Sequence, residues 1–162
     1  MQETSTLRDS RALSDALAPT VVIIPARNEA ASLGFVLHDL PHTAAVLVAD
    51  NGATDATAEI GRKQGCIVVE EPIPGYGRAC LAGMHRLGEL KAANSVDCRY
   101  VAFLDADYRD HPEELERLLI EMLKRDLDFV VGSRTIGDRE PGAMPIQALL
   151  GNRLACALLH CI

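Results

Sequence analysis

Asp105 and Asp107 stand two residues apart, directly behind the apolar run Tyr100-Val101-Ala102-Phe103-Leu104. In an extended chain, positions i and i+2 point to the same face. Two carboxylates on one face repel each other unless a cation lies between them. Their hard oxygens suit Mg2+ or Mn2+, and such a cation completes its shell with substrate phosphates. A metal-held diphosphate leaves more readily because its developing charge is stabilised. Taken alone, a D-x-D pair reads equally well as capping or turn residues. Its place behind a wholly apolar strand is what favours chemistry.

Other polar groups sit at equivalent places. Asp50 opens Asp50-Asn51-Gly52-Ala53-Thr54-Asp55. A carboxylate there can accept hydrogen bonds from a base N–H or a ribose hydroxyl, while Thr54 or Asp55 caps the next helix. Glu29, in Pro25-Ala26-Arg27-Asn28-Glu29, either complements a helix dipole or contacts a ribose. Gly75-Tyr76-Gly77-Arg78 lets backbone approach a ligand at a helix start, a natural phosphate site; a plain turn is the alternative. Arg134 follows Gly132-Ser133, where a guanidinium can grip phosphate through two N–H bonds or simply face solvent. The five histidines show no metal-ligand spacing. Leu81, Met84 and Leu87 read as a core stripe.

The elements that must position these groups follow from apolar periodicity. Val21–Ile24, Ala45–Ala49, Ile67–Val69, Tyr100–Leu104 and Phe129–Val131 are short apolar runs and predict five buried strands. Helical spacing predicts helices over about 29–39, 55–64, 78–91, 112–125 and 146–162. Asp110 and Glu113 have capping-box spacing, and Pro112 falls in a first turn. Strands that are apolar throughout and alternate with helices imply an α/β domain with a mostly parallel sheet. Ligands of such sheets bind beyond the carboxyl ends of the strands, and every group named above lies there.

Bulk properties narrow the function. The 162 residues are one domain's length, with 48% hydrophobic and 24% charged residues, ordinary for a globular protein. Residues 1–19 read as a polar leader and 20–162 as the domain. A net charge of -7 without a basic stripe argues against nucleic acid as a partner. Five cysteines without a CxxC pair read as reduced thiols. No apolar run reaches the roughly 20 residues that span a bilayer. The expected setting is cytoplasmic, peripheral at most to the inner face of a membrane.

The stretches VVIIPARNEAASL, VLVADNGATDATAEI, PGYGRACLAGM, YVAFLDADYRDHPEEL and DFVVGSRTIG together resemble family 2 glycosyltransferases of the GT-A fold, most closely the dolichyl- and polyprenyl-phosphate sugar transferases. The resemblance covers about residues 20–137 and implies a three-layer, Rossmann-like fold. It implies that Pro25, Arg27 and Glu29 line a nucleoside pocket and that Asp50 binds the base. Gly75 and Gly77 would be donor-binding, and Arg78 would lie near the diphosphate or cap its loop. Asp105 and Asp107 would hold the metal, and Arg134 would meet phosphate of donor or acceptor. Family members continue beyond the point where this chain ends, in LGNRLACALLHCI, which predicts a domain cut short on the acceptor side.

The expected reaction is metal-dependent, inverting transfer of a sugar from a UDP- or GDP-sugar to a polyprenyl phosphate at a membrane surface. A phosphate acceptor is already ionised near neutral pH and needs no general base, whereas a hydroxyl usually does. Two alternatives stay open: a nucleotide-sugar-binding module without catalysis, and a family 2 transferase acting on a hydroxyl. A sugar nucleotidyltransferase would need a glycine-rich basic loop behind the first strand, where PARNEA stands instead. Oligomeric state is not legible.

Overall fold

The structure is a computed structural model and describes residues 11–133. Helix α1 covers residues 11–17. The order that follows is β1 (Thr20–Ala26), α2 (Leu33–Asp39), β2 (Ala45–Asp50), α3 (Thr57–Lys63), β3 (Ile67–Glu70), α4 (Tyr76–Ala92), β4 (Tyr100–Phe103), a 3-10 turn (Pro112–Glu114) and α5 (Leu115–Arg125). Pro112 opens its turn as expected, with His111 rather than Asp110 at the cap position. Asp126 ends α5 in the left-handed conformation.

The four strands form one parallel sheet in the order β3-β2-β1-β4. All seven residues of β1 are buried, because it is central and covered on both faces. The strand runs on through Pro25 to Ala26 instead of stopping at the proline. β4 pairs with β1 only as far as Ile23–Phe103. The missing N–H of Pro25 therefore falls where that ladder has already ended, and costs no hydrogen bond.

Strand alternation sends the side chains to two apolar layers. Val22, Ile24 and Val48 meet Leu33, Val36, Leu115 and Leu119 on the face covered by α2, α3 and α5. Val21, Ile23 and Leu47 meet Leu87 on the face covered by α4. The result is the expected three-layer α/β arrangement. Fully burying each of these aliphatic side chains contributes about 1.5–3 kcal/mol.

Two expectations need correction. α4 buries Ala79, Gly83 and Leu87, not a Leu81/Met84/Leu87 stripe. The small residues let the helix approach the sheet so closely that a Cβ on Gly83 would lie 2.5 Å from Ile23 Cγ2, and Leu81 is left 71% exposed. Phe129–Val131 forms no strand: none of the described residues pairs with it, and Phe129 is 80% exposed. A strand exists only through its ladder, so an apolar run without a partner stays irregular. The chain divides into two compact units, one ending at Val130 and one beginning at Val131. Arg134 and the helix expected over 146–162 lie outside the described residues.

Candidate active site

The carboxyl ends of the strands are tied together by side chains from their own loops. Asn28 takes the left-handed conformation behind β1, and its Oδ1 accepts the Thr54 amide at 2.8 Å. Thr57 Oγ1 accepts the Glu29 amide at 2.8 Å. Asp55 Oδ2 accepts the Ala30 amide at 3.1 Å, while Oδ1 accepts the Thr57 amide at 3.0 Å and the Thr57 hydroxyl. The Thr57 hydroxyl above all, and backbone amides after it, hold Asp55 below the usual carboxylate range. Neither Thr54 nor Asp55 takes the cap position of α3, which is Ala56 without a side-chain cap; Asp55 instead laces the β1 loop to the β2 loop.

Asn51 does the same for the β3 loop. Its Nδ2 donates to the carbonyls of Glu71 at 3.2 Å and Ile73 at 2.8 Å. Its Oδ1 accepts the Gly75 amide at 2.6 Å, and its own amide donates to the Ala26 carbonyl at 2.9 Å. Asn51 is 5% exposed. From sequence alone Asp50, not Asn51, stands out at this strand end. A carboxamide, which offers donors and an acceptor together, is the side chain able to satisfy both kinds of backbone group in one loop. Its position directly behind a strand was the available signal.

These ties frame a cavity of about 350 Å³, lined by Pro25, Ala26, Arg27, Glu29, Asn51, Gly75, Tyr76, Ala79, Asp105, Ala106 and Asp107. Six of the expected residues meet there: Pro25, Arg27, Glu29, Gly75, Asp105 and Asp107. Asp50, Gly77 and Arg78 are not among the lining residues. Asp50 Oδ1 accepts the Ala53 amide at 2.8 Å and closes its own turn. Arg78 pairs with Glu71 at 3.7 Å and lines a separate groove beside β3 and α4.

The paired carboxylates have different surroundings. Asp105 Oδ1 accepts the Tyr76 hydroxyl at 3.0 Å. Asp107 Oδ1 accepts the Arg109 amide at 3.1 Å, and its Oδ2 lies 3.4 Å from Arg109 Nε. Tyr108, between Asp107 and Arg109, has positive φ. Its ring lies 5.7 Å from that of Phe35, and its hydroxyl donates to Asp39. That bond, and next His38, lower the Asp39 pKa. The Asp107 loop is thereby moored to α2.

Among the described residues, no three His, Cys, Asp or Glu side chains converge as a metal cage. Two adjacent carboxylates nonetheless supply the hard oxygens of a cation that draws its other ligands from phosphate and water. The donor set therefore fits a cation that arrives with a phosphate-bearing ligand. Cys66, Cys80 and Cys98 are free thiols, all raised above their ordinary pKa chiefly by burial.

A parallel sheet covered on both faces, with carboxylates and a turn-plus-helix start around one strand-end cavity, defines a three-layer α/β domain of the kind that binds ligands beyond its strand ends. The chain belongs to glycosyl transferase family 2, whose model matches residues 21–154. It is 34% identical over 154 residues to the low-salt glycan biosynthesis hexosyltransferase Agl6 of Haloferax volcanii, covering 89% of this chain and 35% of that protein. An uncharacterized glycosyltransferase of Mycobacterium bovis is 39% identical over 113 residues, covering 70% and 47%. The crystal structure of Mycobacterium tuberculosis glucosyl-3-phosphoglycerate synthase superposes with a TM-score of 0.53 at 26% identity, covering 71% of this chain and 44% of that one. The chain therefore spans about a third to a half of the length of these relatives. The family and its GT-A-like fold agree with the resemblance drawn from the sequence. Among the described residues, no helix is long and apolar enough to cross a membrane.

Proposed function

We propose that this chain forms the donor-binding part of a sugar transferase, holding a nucleoside diphosphate sugar (UDP- or GDP-linked) in the strand-end cavity. The observation that carries this reading is the convergence of Pro25, Arg27, Glu29, Gly75, Asp105 and Asp107 on that one cavity. The nucleoside lies against Pro25 and Arg27, with Glu29 accepting from ribose. The diphosphate lies toward the start of α4, where Gly75 brings the chain close and the helix dipole favours anions. Asp105 and Asp107 hold Mg2+ or Mn2+. When bound, that cation neutralises diphosphate charge and makes the nucleoside diphosphate a better leaving group.

The reaction is displacement at the anomeric carbon. An acceptor phosphate oxygen forms the new bond from one side, the nucleoside diphosphate departs from the other, and the configuration inverts. A polyprenyl phosphate presented at a membrane surface is the acceptor of this reading, since its oxygen is ionised without a general base. Arg134 meets phosphate of the donor or the acceptor.

The test is calorimetric titration of UDP- and GDP-sugars with and without Mn2+, followed by assay of transfer to a short polyprenyl phosphate. Metal-dependent binding with transfer is the expected result. Binding without transfer would identify a donor-binding module. Absence of metal-dependent nucleotide binding overturns both.

A further inference from the structure

We infer that Tyr76 is a positioning residue for Asp105, its hydroxyl fixing one carboxylate oxygen so that the other is left to the cation that accompanies the diphosphate. The inference rests on the functional reading above. Tyr76 is the first residue of α4 and lies 29 positions from Asp105 in sequence, yet donates to its Oδ1 at 3.0 Å. Both residues line the candidate cavity. Among the described residues, no hydrogen bond engages Asp105 Oδ2.

The support behind Tyr76 is continuous. Gly75, immediately before it, is fixed through its amide to Asn51 Oδ1 at 2.6 Å. Asn51 is in turn bonded to the Ala26 carbonyl at the end of β1. A run of backbone and side-chain bonds therefore leads from the central strand, through the β3 loop, to a carboxylate at the end of β4. Among the described residues, Asp107 contacts only Arg109, two residues on, and has no comparable brace across the cavity.

The chemistry of the brace matters. An arginine at this place would orient the carboxylate but also cancel its charge. A phenol donates one hydrogen bond and is neutral, so Asp105 keeps its full charge for a divalent cation. Tyr76 is 61% exposed, so its hydroxyl contributes to geometry far more than to the core. Outer partners that orient a metal-binding carboxylate typically change metal affinity by roughly 10–100-fold when removed.

The test is calorimetric titration of UDP and of GDP into the full chain, parent and Tyr76→Phe, each with and without Mn2+. The Phe variant keeps the ring and loses only the donor, and its melting temperature serves as the check on folding. The expected result is a loss of roughly tenfold or more in Mn2+-dependent affinity, with the metal-free affinity and the melting temperature unchanged. Equal Mn2+-dependent affinity in the two proteins overturns the inference. A parallel fall in metal-free and metal-dependent binding also overturns it, because that is the mark of a merely structural side chain. If the parent binds neither nucleotide in the presence of Mn2+, the functional reading fails and takes this inference with it. The parent's behaviour thus reports on the first and the variant's on the second.

Discussion

Asn51 Oδ1 accepts the backbone amide of Gly75 across 24 residues of sequence at 2.6 Å, while the same carboxamide donates to Glu71 and Ile73. One buried side chain thus holds the loop that delivers the start of α4 to the cavity. Asn51→Ala removes it and leaves two carbonyls and an amide to find water. The expected loss of stability is on the order of 2 kcal/mol, measured by urea denaturation. Faster proteolytic cutting within residues 71–75 should accompany it, since the loop loses its only carboxamide tether among the described contacts.

Gly83 and Gly88 lie in the same helix and should respond oppositely to alanine. A Cβ on Gly83 meets Ile23 Cγ2 at 2.5 Å, whereas one on Gly88 meets nothing within 4 Å. Gly83→Ala forces the helix off the sheet and is expected to cost about 1–3 kcal/mol, more than the helix propensity gained. Gly88→Ala gains that propensity freely, up to about 1 kcal/mol. Thermal melts of the two single variants check the opposite signs.

Asp55 makes stability depend on acid. Its folded pKa lies below the ordinary Asp value, chiefly through the Thr57 hydroxyl. The unfolded chain therefore binds the proton more readily than the folded one. Its contribution is fully present above the unfolded pKa of about 3.9. It is lost as pH falls below that value through the folded one. Asp55→Asn should be less stable than the parent at neutral pH, and the gap should shrink in the acid range below pH of about 4. Denaturation midpoints of the two proteins across pH measure that gap.

On the proposed reading, in which Asp107 is a metal ligand and not merely a support, Asp107→Ala should weaken Mn2+-dependent nucleotide binding by more than roughly tenfold. The fold should persist, because the side chain sits at a loop and pairs only with Arg109 among the described contacts. Far-ultraviolet circular dichroism and calorimetry with UDP or GDP check the two halves. Unchanged metal-dependent binding would remove Asp107 from the metal site.

Four strands and the helices between them were legible from their apolar runs, but only β1 and the end of β2 are fully enclosed, at Val21–Ile24 and Leu47–Ala49, whereas β3 and β4 are edge strands, with Val101 and Phe103 exposed rather than buried as expected. The D-x-D pair was legible because type and spacing are local properties. What escaped depended on distance. Asn51 looks like any loop asparagine until the β3 loop is folded over it. Leu81 looks like core until Gly83 is seen to draw the helix in on a different face. Phe129–Val131 has strand composition, yet a strand needs a neighbour, and no window of one chain contains that information. The resemblance left Arg78 either near the diphosphate or capping its loop, and its contact with Glu71 at 3.7 Å, in the loop before α4, depends on how that loop folds.

The loops behind β1, β2 and β3 are laced by Asn28, Asp55, Thr57 and Asn51, and that lacing sets a clock. The amides of Glu29, Ala30, Thr54 and Gly75 are each closed by a side chain from another loop. None can exchange with solvent unless a tie from a neighbouring loop breaks. Their exchange should therefore follow one shared opening event, as expected of a cooperative unit. The rim of the cavity would open as a whole or not at all, and the rate of that event would limit how fast any ligand that needs it open can enter or leave.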